Sequence, residues 1–415
     1  MWLLKRMLRR LIRKGTLKII GHDGRTYFFG VATEGFPDVA VRLTDRRAAL
    51  AIVSDPRLGA AEAYIDGRLI VEKGDIRDLV DLIRGNGQWE EGGQLGIGNP
   101  LRRALHAVGH RLDRLNWHSR ARRNVAHHYD LSDRLYDLFL DSDRQYSCAY
   151  FTDPANDLET AQRDKKAHIA AKLNLEPGVS TLDIGCGWGG TALAIHAITG
   201  GPVLGITLST EQLAVARRRA EGAGVADKVR FDLIDYRDVE GRFDRIVSIG
   251  MFEHVGPPNY HRFFAKCRAL LAEDGVMLLH SIGRMGGPGS TDRFTTKYIF
   301  PGGYIPALSE IVAASEKVRL IASDVETLRL HYGLTIDRWY DRTMAARDAI
   351  VALYDERFYR LWLFYLAGAG SAFRSGGLCN YQIQYIRRRD TLPIIRDYMA
   401  REEAALRPAI EPIAR

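Results

Sequence analysis

A glycine-dense turn between an apolar run and a helical run limits the folds open to this chain more than any other feature. Ser180–Ile184 leads into Gly185-Cys186-Gly187-Trp188-Gly189-Gly190, and Thr191–Ile198 follows with helical periodicity. Glycines in that place let the backbone approach a ligand and leave the amides of a helix N-terminus facing it. Strand-like and helical runs then alternate. Val203–Leu208 is a strand and Thr210–Gly222 a helix capped by Ser209 or Thr210. Strands at Val229–Ile234 and Phe243–Ile249, a helix at Tyr260–Leu271 and a strand at Gly275–His280 complete the series. A last strand, Cys379–Arg387, comes after a helical stretch that begins near Asp337. Apolar strands joined by amphipathic helices predict an α/β fold. The sheet is doubly wound, Rossmann-like and parallel, with extra helices and a ligand beyond the carboxyl ends of its strands.

The loop alone does not separate a dinucleotide site from a methyltransferase site, because Gly185-x-Gly187-x-Gly189-Gly190 satisfies both spacings. The second strand discriminates. A nicotinamide enzyme places an acid there to hold the ribose hydroxyls, whereas Gly205-Ile206-Thr207-Leu208-Ser209 has none before Glu211. Asp235-Tyr236 closes the third strand instead, an acid able to accept from an adenine amino group and a ring able to pack on the base. The pattern suits S-adenosylmethionine, with Asp183, Gly185, Gly187, Gly189, Thr207, Leu208, Asp235 and Tyr236 as candidate contacts.

The four cysteines are scattered, with no CxxC pair and no ligand cluster, which argues against a zinc site or a disulfide framework and fits a reducing compartment. The net charge of +8 is concentrated at one end: the first twenty residues carry seven Lys and Arg and no acid, so the remainder is close to neutral. In MWLLKRMLRRLIRKG the apolar residues 2, 3, 4, 7, 8, 11 and 12 form a stripe opposite a basic face. Three readings compete: a helix docked on the protein's own core, a nucleic-acid arm, and a membrane-surface helix. The balanced charge elsewhere and the absence of a nucleic-acid motif weaken the second. The longest apolar run, Leu361–Phe373, is too short to span a bilayer. The divisions expected are a small α+β domain over 1–85, a linker and basic helix over 86–123, and a catalytic domain over 124–400.

An ordered series of short motifs resembles the cyclopropane-fatty-acyl-phospholipid synthases. It comprises His128-Tyr129-Asp130-Leu131-Ser132, Gln145–Phe151 (QYSCAYF), the Asp183–Gly190 loop, Gly205–Ser209, Phe252-Glu253-His254-Val255-Gly256, Leu279–Gly283, Phe300–Gly303 and His331-Tyr332. The mycolic acid cyclopropane synthases share most of these motifs but lack an N-terminal domain such as this chain has. The resemblance implies a class I methyltransferase fold and adds Tyr146, Ser147 and Gln212 to the candidate cofactor contacts. It also implies methyl transfer to a cis double bond of a phospholipid acyl chain, followed by proton removal and ring closure. In such a family the base is a bound bicarbonate, whose ligands correspond here to Cys148, Glu253, His280, Ile282 and Tyr332. Further implications are a peripheral place on the cytoplasmic membrane face and a homodimer. The membrane reading of the N-terminal helix gains accordingly.

One residue departs from the pattern. Many members carry a Cys just before an Ala-Phe-Arg-type sequence, where this chain has Ala369. A bicarbonate mechanism needs no thiol there, although the departure leaves room for a relative that methylates the alkene without closing the ring. Late aromatics from Trp339 to Tyr365 serve either as core or as the lining of an acyl tunnel.

Overall fold

The computed structural model describes residues 2–92 and 132–410. The basic helix expected at 101–123, most of the linker and His128–Leu131 lie outside them. The described residues fall into two compact units, one of 2–92, 292–301 and 336–377, the other of 132–291, 302–335 and 378–410. Neither is contiguous, which differs from the consecutive domains expected from the sequence. The segment 336–377 clusters with the N-terminal residues because its contacts are distant in sequence.

In the first unit, strands β1 (Gly15–Ile20), β2 (Thr26–Val31), β3 (Asp38–Leu43) and β4 (Leu69–Lys73) form a sheet in the order β2-β1-β3-β4. β1 and β3 are parallel and the outer pairings antiparallel. Helix Ile76–Gly85 opens with a reciprocal Asp75–Asp78 capping box. Helix Glu356–Arg374 belongs to the same unit: Arg374 pairs with both Asp81 and Asp337. Leu58 and Ile65 share a core with Phe294 and Ile299, against which Leu361 and Phe364 pack. Trp339, Tyr340 and Trp362 are buried, as core residues are.

Helix Trp2–Leu11 splits its apolar stripe. Leu4, Leu8 and Ile12, four residues apart on one face, are buried, as the docked reading requires. Trp2 and Leu3 remain 67% and 55% exposed, beside exposed Arg6, Arg9 and Arg10.

The second unit holds strands β5 (Thr181–Ile184), β6 (Val203–Thr207), β7 (Val229–Leu233), β8 (Phe243–Ile249), β9 (Leu271–Arg284), β10 (Ile321–Leu328) and β11 (Leu378–Ile386). Their order is β10-β11-β9-β8-β5-β6-β7. The five strands from β9 to β7 are parallel, as expected, but β11 and β10 add antiparallel. β10 escaped the sequence reading because it is a half-exposed edge strand bearing Asp324 and Glu326. Alternate residues feed opposite faces: Met277 and Leu279 join one hydrophobic cluster, Leu278 the other. From β5 the chain winds one way to β6 and β7 and the other way to β8 and β9. The crevice for a ligand therefore opens at the end of β5.

Candidate functional site

A cavity lies at that switch point, lined by the ends of β5, β6 and β8, the residues just after β7, and the segment 144–147. Of the candidate cofactor contacts, Tyr146, Ser147, Asp183, Gly185, Gly187, Thr207, Leu208, Gln212, Asp235 and Tyr236 all line it. Gly187 has a left-handed φ of 55°, and a Cβ built on it would meet no protein atom within 4 Å, so space is kept there for something other than the protein. Gly189 has a different task, since its Cβ would lie 2.6 Å from the Phe231 ring. It lets helix Gly190–Thr199 pack closely on the sheet and present its N-terminal amides.

Two acids in the lining have contrasting surroundings. Asp235 is held by Arg237, whose Nε and Nη2 donate to its two carboxylate oxygens at 2.8 and 2.6 Å. Asp183 is buried with Oδ2 unpartnered, and burial pushes its carboxyl up to about 7, opposed only by the charge of Lys165. Sequence reading missed Arg237, because an arginine two residues past a strand reads as surface. It also missed Lys165 and Gln162, which stand behind the wall at 145–147.

The five residues matched to a bicarbonate site stand apart from that lining. Two of them meet directly: the Ile282 N–H donates to Glu253 Oε1 at 2.5 Å. The Glu253 carboxyl is buried, its Oε2 has no partner, and desolvation pushes it up to about 7. His280, pushed down to about 3 by burial, is a neutral imidazole between two amides. Asn380 Nδ2 lies 3.2 Å from its Nε2 and Gln382 Nε2 lies 3.1 Å from its Nδ1. A neutral ring donates once and accepts once, so one of these amides must turn its oxygen to the ring. Both nitrogens are thereby used. Cys148 is buried, and desolvation drives its thiol far above the thiolate range. The thiol instead donates to the Ala149 carbonyl, while Thr335 accepts from the Ala149 N–H at 3.0 Å. Tyr332 sits in the first turn of helix His331–Ala345 and is nearly buried. A proton-bearing anion fits the orphaned Glu253 oxygen; His280 reaches such an ion only by releasing one amide. Among the described residues no group of three His, Cys, Asp or Glu is arranged to hold a metal.

The doubly wound sheet, its glycine loop and this cavity define the class I S-adenosylmethionine-dependent methyltransferases. Residues 117–383 match the family model described as mycolic acid cyclopropane synthetase. The cyclopropane-fatty-acyl-phospholipid synthase of Escherichia coli K12 is 36% identical over 362 residues, 86% of this chain and 90% of that protein. A probable fatty acid methyltransferase of Pseudomonas putida is 42% identical over 62% of this chain and 68% of that protein. Among solved structures, the cyclopropane synthase MmaA2 from Mycobacterium tuberculosis matches with a TM-score of 0.62 and 34% identity, over 65% of this chain and 99% of that one. The mycolic acid cyclopropane synthase CmaA1 complexed with SAH and CTAB gives 0.61 at 34% identity, with the same coverage. This chain belongs to the mycolic acid cyclopropane synthetase family and is an S-adenosylmethionine-dependent methyltransferase.

Proposed function

We propose that the enzyme methylates the cis double bond of unsaturated phospholipid acyl chains and closes a cyclopropane ring, with bicarbonate as the base. The reach of the similarity carries the phospholipid part. The Escherichia coli phospholipid synthase matches 86% of the chain, whereas cyclopropane mycolic acid synthase 3 of Mycobacterium tuberculosis matches 61%. The longer match favours the substrate class of the protein it was found in.

S-adenosylmethionine, when bound, supplies an electrophilic sulfonium methyl. Its C–S bond would break as a C–C bond forms at the alkene, leaving S-adenosylhomocysteine and a carbocation on the chain. Transfer of a proton from the new methyl to the base would then close the ring. The cation must be kept from water until that proton departs. Burial of Cys148, Glu253, His280 and Tyr332 supports a dry pocket of this kind. Bicarbonate would supply the base, with Glu253 as its principal holder through the unpartnered Oε2. Cys148, Ile282 and Tyr332 complete the proposed cradle, and His280 joins it by exchanging one amide contact.

The membrane part rests on Trp2 and Leu3, which stand exposed beside basic residues of the same helix. Each basic residue near an anionic surface contributes about 1 kcal/mol. Among the described residues no helix is long and apolar enough to cross a bilayer. A peripheral attachment on the cytoplasmic face and a homodimer, both implied by the family resemblance, form part of the reading.

The alternative product, a methylated alkene, is favoured by the 42% identity to a fatty acid methyltransferase and by Ala369. Both products add the same mass, so the test is purified enzyme on unsaturated anionic vesicles, with hydrogenation before lipid mass spectrometry. A ring resists conditions that reduce an alkene. Hydrogenation-resistant product that disappears when carbonate is rigorously removed is the expected outcome. Full rates without carbonate would sink the bicarbonate part, and a reducible product would establish the alternative. In the same assay Trp2→Glu with Leu3→Glu should weaken vesicle binding about tenfold, and added salt should reproduce part of that loss. Unchanged binding would move the membrane contact to another surface.

A further inference from the structure

The cavity wall at 145–147 is held from its core side by one face of helix Leu158–Lys172. Gln162 Nε2 donates to the carbonyls of Gln145 and Ser147 at 3.1 and 3.0 Å. Three residues on, Lys165 donates to Gln145 Oε1 and, at 3.1 Å, to Ser147 Oγ. Lys166, on the next position of that face, donates to Asp143 Oδ2 at 2.9 Å. Lys165 has no solvent exposure. A buried ammonium is costly, and this one hydrogen-bonds two neutral side chains rather than a carboxylate. Burial pushes it down to about 8 against the favourable charges of Asp141 and Asp143.

What such a group achieves follows from its hydrogen-bond chemistry. An ammonium donates and never accepts. Ser147 Oγ therefore receives a hydrogen bond from the core, and its own proton must point elsewhere. Among the described residues no acceptor for it is found, and Ser147 lines the cavity. Gln145 is fixed in the same manner: its oxygen faces Lys165 and its Nε2 donates to Asp143 at 2.9 Å. Asp183, also in the lining, offers the opposite polarity through its unpartnered Oδ2. A hydroxyl donor and a carboxylate acceptor in one cavity match the carboxylate and ammonium of an amino acid.

We infer that Lys165 is a positioning residue of this methyltransferase, fixing the Ser147 hydroxyl as a donor toward the amino-acid carboxylate of bound S-adenosylmethionine. The inference rests on the cavity being the cofactor site, and its test keeps the two apart. Calorimetry compares S-adenosylhomocysteine with 5′-methylthioadenosine, which has the nucleoside and sulfur but no amino-acid part. Lys165→Met should lose about tenfold or more in S-adenosylhomocysteine affinity, the scale of a hydrogen bond to a charged group. It should hold 5′-methylthioadenosine within about twofold. Ser147→Ala should show a selective loss of the same kind, and the double variant should be no worse than Lys165→Met alone. Equal losses for both ligands would mean that Lys165 merely supports the fold, and unchanged S-adenosylhomocysteine affinity would remove it from positioning altogether; either result overturns the inference. Failure of the wild-type protein to bind either ligand would instead overturn the cofactor site. If Lys165→Met does not fold, Lys165→Gln, which keeps a polar contact but not the charge, takes the same titrations. There too a selective loss supports positioning, and an equal loss or none overturns it.

Discussion

Asp183 and Glu253 are two buried carboxyls of one unit with nearly the same electrostatics and different surroundings. Each has one oxygen without a partner, and burial pushes each up to about 7. Asp183 lines the cavity at the sheet's switch point, with Lys165 as its only opposing charge. Glu253 lies outside that lining and leans on the Ile282 N–H, near no charged partner. A raised pKa thus marks a poised group without saying for what. An orphaned oxygen facing a cavity is suited to recognising a cation. A buried one held only by neutral donors is suited to accepting a proton in a dry place.

The largest effect should come from Glu253. Glu253→Gln keeps the shape but cannot accept a proton, so turnover should fall by about a thousandfold, within the usual range for a lost proton-transfer group. S-adenosylhomocysteine affinity should stay within about twofold. Because the ionised form is the acceptor, wild-type turnover should rise with pH through about 7. Retained turnover in the glutamine variant, or a rate that falls through that range, would erase the distinction between the two acids.

Asp183→Asn should do the reverse. Loss of the charge facing an amino-acid ammonium should weaken S-adenosylhomocysteine about thirtyfold by calorimetry, with little change for 5′-methylthioadenosine. An equal loss for both ligands would mean that Asp183 shapes the cavity without reading its contents.

On stability the two acids should agree. A carboxyl raised in the folded state costs nothing below its unfolded pKa. The cost grows as pH rises toward the folded value and is complete above it. The ordinary values are 3.8 for Asp183 and 4.5 for Glu253. Both isosteres should therefore stabilise the ligand-free protein at pH 8 by roughly 3–4 kcal/mol and change it little near pH 4. Denaturant melts at the two pH values check this. A gain at pH 8 for one acid alone would show that the other is compensated by a partner formed in solution.

Features that depend on near neighbours could be read from the sequence. The alternation after residue 179, the glycine loop and the Asp235-Tyr236 pair were legible because strand period, helix period and a left-handed φ are properties of adjacent residues. Glu253 and Ile282 were named only through a resemblance to family motifs, and the structure adds that they meet at 2.5 Å. Other features took shape only when distant segments came together. Helix Leu158–Lys172 spells LETAQRDKKAHIAAK, and nothing in that spelling marks Gln162, Lys165 and Lys166 as the buried residues they are. Only distant partners, Gln145, Ser147 and Asp143, make that burial tolerable. In the same way His280 takes its neutral, doubly bound state from Asn380 and Gln382, a hundred positions along on the antiparallel strand β11. The apolar stripe at the N-terminus predicted the helix but not its division into docked Leu4 and Leu8 and uncovered Trp2 and Leu3. Periodicity encodes which face is apolar; which part of that face is covered depends on what the rest of the chain brings against it.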